Sequence, residues 1–257
     1  MSVHEQQRRH LQDTIDWAER IHGELQPILD AHGDRVHFRP SSTGVAMVGL
    51  LPDRPQRGKG GLHDLARVAS EFDTMFAIHC MDIDQGRVTG EKRLQSWLIR
   101  DAYTHSRRLD SINTASAATN EPVVLRFITD EISLPVETGK IVCDILALRV
   151  DGGRSTPVLL ELKDDRLLTR LVAQVEGYAK LIDQHADLFA RLYSALLGHE
   201  VELNTPTEKW IVWPAAGENV DPREDKLRER GIRVVGYNVA GEGGYGFKVG
   251  GRVKSPD

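Results

Sequence analysis

Two apolar runs near the middle of this 257-residue chain each carry charge where a folded protein tolerates it least. The run at 141–148 reads Ile-Val-Cys-Asp144-Ile-Leu-Ala-Leu, and the run at 157–163 reads Pro-Val-Leu-Leu-Glu161-Leu-Lys163. Segments that are apolar on both faces belong inside a sheet. A carboxylate there costs several kcal/mol unless a cation or hydrogen bonds compensate it. Asp144 and Glu161, helped by the Leu162 carbonyl, offer hard oxygen ligands of the kind that suit Mg²⁺ or Mn²⁺ alongside waters and phosphate oxygens. Such an ion polarises a phosphodiester and lowers the pKa of a bound water. Lys163 could hold that water or stabilise charge in the transition state. The plainer reading of the same residues is a buried ion pair, Lys163 with one carboxylate, that serves only the fold.

Spacing decides whether these groups can meet. Asp151-Gly152-Gly153, between the two runs, is a strong hairpin signal. With Gly152 and Gly153 as the loop, Asp144 falls opposite Glu161; a loop two residues longer on the second strand would set it opposite Lys163. Side chains alternate along a strand, so either register keeps all three on one face, and a one-residue slip would part them.

At these residues the chain resembles the PD-(D/E)XK phosphodiesterase superfamily, whose members share a restriction-endonuclease-like fold. The family pattern is an Asp on one core strand, (Asp/Glu)-X-Lys on the next, and then a helix. Asp144 and Glu161-Leu162-Lys163 match it, although the proline that often precedes the Asp is Cys143 here. A second copy of the tripeptide pattern, Glu224-Asp225-Lys226, lies in a polar, helix-like run where a solvated face accounts for it. The resemblance covers residues 88–250. It implies a Mg²⁺- or Mn²⁺-dependent nuclease acting on DNA, in defence or repair, which could pair as a homodimer to cut both strands. A catalytically idle relative that binds nucleic acid or a partner protein would keep the same residues as an ion pair.

Two flanking helices extend the pattern. After the lysine, Leu168, Leu171, Val172, Val175, Ala179 and Ile182 form the apolar face of an amphipathic helix. Arg166, Arg170, Gln174 and Tyr178 recur every four residues beside that face. The resemblance gives Gln174 a catalytic role, orienting water or a metal-bound group, and implies contacts to nucleic-acid phosphate from Arg166, Arg170 and Tyr178. An ordinary polar border to a packed helix explains the same stripe. Upstream, Glu91 shares a helical face with Leu94 and Leu98. By resemblance it is an additional metal-binding acid; equally, acids are favoured near helix N-termini by the macrodipole.

The elements that must position these groups suggest an α/β fold with a mixed central sheet flanked by helices. Strands are expected at 123–128, 209–213, 232–237 and 245–249, and helices at 91–103, 186–197 and 221–230. Residues 1–87 read as a separate N-terminal α+β module of unassigned role, and 88–257 as the nuclease-like domain. The module should hold a long helix over 4–31 that breaks near Pro27, strands at 36–38 and 43–51, a Gly/Pro-rich loop at 52–61, a helix from Leu62 and a strand at 74–80. Arg54, Arg57 and Lys59 on the loop could touch a nucleic-acid backbone or be solvated. Trp17 and Tyr193, as exposed aromatics, could hold a partner.

A hydrophobic content of 40% is enough for a sizeable core, and the net charge of −5 does not announce a nucleic-acid binder. No stretch approaches the ~20 apolar residues of a membrane span. The two cysteines, Cys80 and Cys143, fall in apolar runs, so buried free thiols in a reducing cytoplasm are expected.

Overall fold

The structure, a computed structural model, describes residues 1–53, 55–81, 89–117, 119, 122–165, 171–215 and 222–249. Helix α1 (Val3–Arg20) starts at a capping box in which Ser2 and Glu5 satisfy each other's backbone N–H groups. One π-helical turn (Ile21–Leu25) leads into α2 (Gln26–His32). Pro27 sits in the first turn of α2, where its missing N–H costs no bond, so the break falls upstream of it. Strands β1 (Val36–Ser41), β2 (Gly44–Leu50) and β3 (Pro55–Leu62) form an antiparallel sheet in that order.

Strand β3 corrects the expectation of a loop at 52–61. Gly58 serves close approach: a Cβ there would lie 1.7 Å from the Met47 carbonyl oxygen. The expected strand at 74–80 is also corrected. Helices α3 (Leu65–Ser70) and α4 (Phe72–Phe76) lead into a second π-helical turn (Ala77–Met81). Phe72, Phe76 and Cys80, spaced by four, all enter the core of the N-terminal sheet, so the true period there was helical.

Helix α5 (Gly90–Thr104), capped by the Thr89 hydroxyl, and α6 (Asp110–Ala117) precede β4 (Leu125–Asp130). A small ribbon follows, β5 (Ser133–Val136) with β6 (Gly139–Val142), and then β7 (Ile145–Asp151) and β8 (Arg154–Leu162). Helices α7 (Leu171–Gln184) and α8 (Ala186–Leu197) lead to β9 (Glu208–Pro214), α9 (Pro222–Glu229), β10 (Ile232–Val239) and β11 (Tyr245–Val249). The central sheet runs β11-β10-β9-β8-β7-β4. Strands β4, β7 and β8 are antiparallel neighbours, β8, β9 and β10 are parallel, and β11 is antiparallel to β10.

The sheet is mixed and covered on both faces, as the apolar runs required. Leu146, Leu148, Leu159 and Ile211 pack with α7 and α8 on one side. Ile145, Ala147, Leu160, Leu162 and Val212 pack with α5 and α6 on the other. Leu11, Ile15 and Ala18 of α1 join the first of these cores. Helix α1 is also pinned to α8 by Arg8–Asp187 at 3.0 Å, Arg191–Gln12 at 2.7 Å and His185–Gln7 at 3.0 Å. Tyr193 is buried in that core and exposes no aromatic face, since the period of α8 turns it inward. Cys80 and Cys143 are buried and unpaired. Among the described residues no helix is long and apolar enough to cross a membrane.

A buried polar array ties β1 to β4. Asp130 is fully buried and accepts from Arg39 Nε at 2.7 Å, from Arg39 Nη2, from His37 Nε2 at 3.0 Å and from Gln95 Nε2 at 3.2 Å. The Tyr103 hydroxyl lies 2.8 Å from His37 Nδ1. Because an ionised carboxylate only accepts, Nε2 carries the proton toward Asp130 and Nδ1 accepts from Tyr103. Burial works to raise the Asp130 pKa, but Arg39 and His37 outweigh it and hold this carboxyl well below the ordinary value of 3.8. Its contribution to stability is therefore present above that value and lost as pH falls through the folded one. Asp130→Ala, which strands Arg39 and His37, should lower the unfolding free energy by about 3–5 kcal/mol in urea titrations at pH 7; a loss under ~1 kcal/mol would show that the array does not brace the fold.

Candidate functional site

Gly152 and Gly153 adopt φ of 52° and 84°, the left-handed pair that a two-residue hairpin loop demands. They fix Asp151 opposite Arg154, and the ladder continues without a shift to Ile145 opposite Leu160. One further step along this register sets Asp144 opposite Glu161. Asp144 itself stands at a break between β6 and β7 rather than inside a strand, which corrects the reading of 141–148 as one continuous element. The break leaves its carbonyl free to accept the Glu131 N–H at 3.2 Å and Gln95 Nε2 at 3.0 Å. Its carboxylate Oδ2 accepts the Leu162 N–H at 2.7 Å.

Three of the expected site residues converge on a fourth, the Lys163 ammonium. Its Nζ lies 2.8 Å from Glu161 Oε1, 3.3 Å from Glu91 Oε2 and 3.7 Å from Asp144 Oδ2, and it donates to the Leu162 carbonyl at 2.6 Å. Glu91 reaches this point because the first turn of α5 abuts the chain just after β8. A Cβ on Gly90 would meet Asp164 Cβ at 3.1 Å. From α7, Gln174 Nε2 donates to Glu161 Oε1 at 2.7 Å and to the Val142 carbonyl at 3.2 Å.

One ammonium thus faces three carboxylates, two of them almost removed from water. Burial pushes Asp144 up to about 6, with Glu91 adding to the rise and Lys163 opposing it. Burial and then repulsion from Asp144 push Glu161 up to about 8, against the pull of Lys163. The two carboxyls titrate as a pair. Burial works to lower the Lys163 pKa, but Asp144 and Glu161 outweigh it and hold this lysine well above its ordinary value. The donor set is all oxygen, which fits Mg²⁺ or Mn²⁺, and the surplus of negative charge fits a dication better than a single ammonium. Among the described residues no three of His, Cys, Asp or Glu stand together as a ready ligand group; the point where these oxygens converge is held by Lys163 Nζ.

The remaining expected residues fall elsewhere. Tyr178 is fully buried and donates its hydroxyl to the Ile132 carbonyl at 2.9 Å, which corrects its assignment to a nucleic-acid contact. Stripe position alone could not tell that its side chain turns toward the sheet. Arg166 and Arg170, like Arg54, lie outside the described residues. Sequence reasoning missed Gln95 and Asp130, both fully buried beside the site. The signals were a glutamine one helical turn after Glu91, and an Asp ending the run that carries Leu125, Phe127 and Ile128. Compared with family models, curated proteins and solved structures, the chain finds no match.

Raised carboxyl pKa values carry a definite sign. The folded state retains protons that the unfolded chain has released, so stability from this pair is greatest below the ordinary values of 3.8 and 4.5. It falls as pH rises through the folded values. Metal-free protein should therefore lose on the order of a few kcal/mol between pH 5 and 8, and Glu161→Gln should flatten that slope in calorimetric scans. A second outcome concerns Tyr178→Phe, which should cost about 1 kcal/mol of stability and leave DNA affinity unchanged in gel-shift titrations; a large loss of affinity would return the hydroxyl to the binding surface.

Proposed function

We propose that the protein is a metal-dependent nuclease that hydrolyses phosphodiester bonds in DNA, with a restriction-endonuclease-like core. The observation that carries this reading is the shortfall of positive charge where Asp144, Glu161 and Glu91 share the Lys163 ammonium. The order of parts supports it as well. Asp144 precedes one strand, Glu161-Leu162-Lys163 ends or follows its neighbour, and helix α7 comes after them with Gln174 on Glu161. Asp144, Glu161, Glu91 and the Leu162 carbonyl are the groups that would hold Mg²⁺ or Mn²⁺. When bound, the ion would polarise the phosphodiester and acidify a water.

The protein's own residues then divide the remaining work. Lys163, on a flexible stem and about one-fifth exposed, would yield the carboxylates to a bound dication and offer its charge to the phosphate or the attacking water. Gln174, bonded to Glu161, fixes which carboxylate oxygen faces the reaction. Defence against foreign DNA or DNA repair is the setting this chemistry serves, and a homodimer would place two such sites on opposite strands.

A second reading has one observation in its favour: Lys163 already satisfies Glu161 at 2.8 Å, as it would in a catalytically idle relative that binds nucleic acid or a partner protein. The two separate in one experiment. Linear, supercoiled, single-stranded and RNA substrates are incubated with Mg²⁺, Mn²⁺ or EDTA, beside Asp144→Asn, Glu161→Gln and Lys163→Ala. The expected outcome is metal-dependent DNA cleavage that falls by roughly 10²–10³-fold in Lys163→Ala and disappears in the two carboxylate variants. Calorimetry should find Mg²⁺ binding that Glu161→Gln weakens and Lys163→Ala retains. Absence of both cleavage and metal-dependent heat would establish the idle reading.

A further inference from the structure

The amide of Gln95 lies at a junction that the proposed reaction does not use. It is fully buried on α5, one turn beyond Glu91, and both bonds from its Nε2 leave the helix for other parts of the molecule. Its Nε2 donates to the Asp144 carbonyl at 3.0 Å and to Asp130 Oδ2 at 3.2 Å. Its Oε1 accepts from Lys92 Nζ at 2.8 Å. A carboxamide has two N–H donors, and here both go to acceptors that the chain holds from opposite sides.

The two acceptors differ in kind. Asp130 is immobilised by a two-pronged contact from Arg39 and by His37, both on β1 of the N-terminal sheet. The Asp144 carbonyl belongs to the break between β6 and β7, where two separate backbone bonds, Cys143 N–H to the Ile132 carbonyl at 3.3 Å and Glu131 N–H to the Asp144 carbonyl at 3.2 Å, replace a strand ladder. Strand β7 is in register only from Ile145 onward. Asp144 itself is held on its carbonyl by the Glu131 N–H and the Gln95 amide, and on its carboxylate by the Leu162 N–H and, more distantly, the Lys163 ammonium at 3.7 Å. Glu131 is itself constrained: it adopts a φ of 47°, uncommon for a residue with a side chain, and its carboxylate is tied to Arg39 at 2.6 Å and to Lys92.

We propose that Gln95 is a positioning residue, a strut through which Arg39 and His37 of the N-terminal sheet set the place of the Asp144 carboxylate. The inference rests on the metal-site reading for its purpose but not for its geometry. It also gives the N-terminal segment a task, since the strut's fixed end lies on β1. Partners that orient a metal ligand commonly change affinity by about 10–100-fold when removed.

Two neighbouring amides make the test selective. The Leu162 N–H is held by the Asp144 carboxylate, whereas the Lys163 N–H, one residue on, is held by the Val212 carbonyl of β9 at 2.9 Å. Hydrogen exchange is measured on metal-free, full-length protein for the wild type, Gln95→Met, and Arg39→Lys as a milder variant that keeps a cation beside Asp130. The strut requires exchange at Leu162 to quicken by about tenfold or more in Gln95→Met and by less in Arg39→Lys, with Lys163 still protected. Mg²⁺ affinity, read by calorimetry, should weaken by about tenfold in parallel. Unchanged protection at Leu162 would overturn the proposal, as would equal loss at Leu162 and Lys163, which marks general loosening. Should Gln95→Met fail to fold, Arg39→Lys decides by the same two amides. A wild-type protein that binds no Mg²⁺ would remove the metal-site reading alone, because the exchange pattern still tells whether Gln95 places Asp144.

Discussion

Two carboxylates withdrawn from water at the rim of a sheet cost several kcal/mol each unless their surroundings answer them. The architecture around Asp144 and Glu161 can be understood as that answer. Lys163 supplies one positive charge, the Leu162 N–H supplies a hydrogen bond to Asp144, and Gln174 supplies another to Glu161. Three separate elements are needed for these contacts: the end of β8, the chain beyond it and the first turn of α7. None of them works unless the Gly152-Gly153 turn holds its two-residue length, since one residue more or less would move Glu161 to the opposite face. The compensation is nevertheless incomplete, and the upward drift of both carboxyls records the deficit.

The N-terminal segment is built into this arrangement rather than appended to it. Leu11, Ile15 and Ala18 of α1 share a core with Leu146 and Ile211 of the central sheet, while Leu50 of β2 joins the core on the other face. Asp130 is answered by a guanidinium from β1 in the same way that Glu161 is answered by Lys163. Two buried acid clusters therefore lie side by side, one closed by a permanent cation and one open to a stronger cation than it has. The contrast is chemical. Arg39 presents a planar fork that saturates both Asp130 oxygens, whereas an ammonium on a four-carbon stem is compact and displaceable.

Much of the candidate site was legible before folding was considered. Asp144, Glu161 and Lys163 stood out because charge is expensive inside apolar strands, and the parity of their spacing placed them on one face. Helices α7 and α8 followed from apolar periodicity, and Gly198, left-handed at φ 72°, ends α8 where the sequence placed its stop. Other features were hidden for physical reasons. Ile141 and Val142 are as apolar as Ile145 and Leu146, so nothing local marks the break where the chain leaves one sheet for another. The glycines of 58–61 resemble a loop until Met47 lies against Gly58. The run ending in Cys80 alternates too little to separate strand from helix. Tyr178 and Gln174 lie on one stripe, yet one turns into the core and the other toward Glu161. Gln95 and Asp130 were invisible because each is explained only by a partner distant in the chain.

Helix α1 lies far ahead in the chain of the helix it is pinned to. Its ion pair from Arg8 to Asp187 spans 179 positions, and its apolar stripe packs among residues of α8. At the usual ~5–20 residues per second of synthesis, on the order of 10–40 s pass before that partner exists. Through that interval Leu11, Ile15 and Ala18 lack the α8 side of their core, and contacts of such long range close late because loop entropy opposes them. The consequence is that α1 meets part of its core only after α8 has been made. The core beneath the site is whole only once β9 and β10 have followed, with Ile211, Trp213 and Ile232.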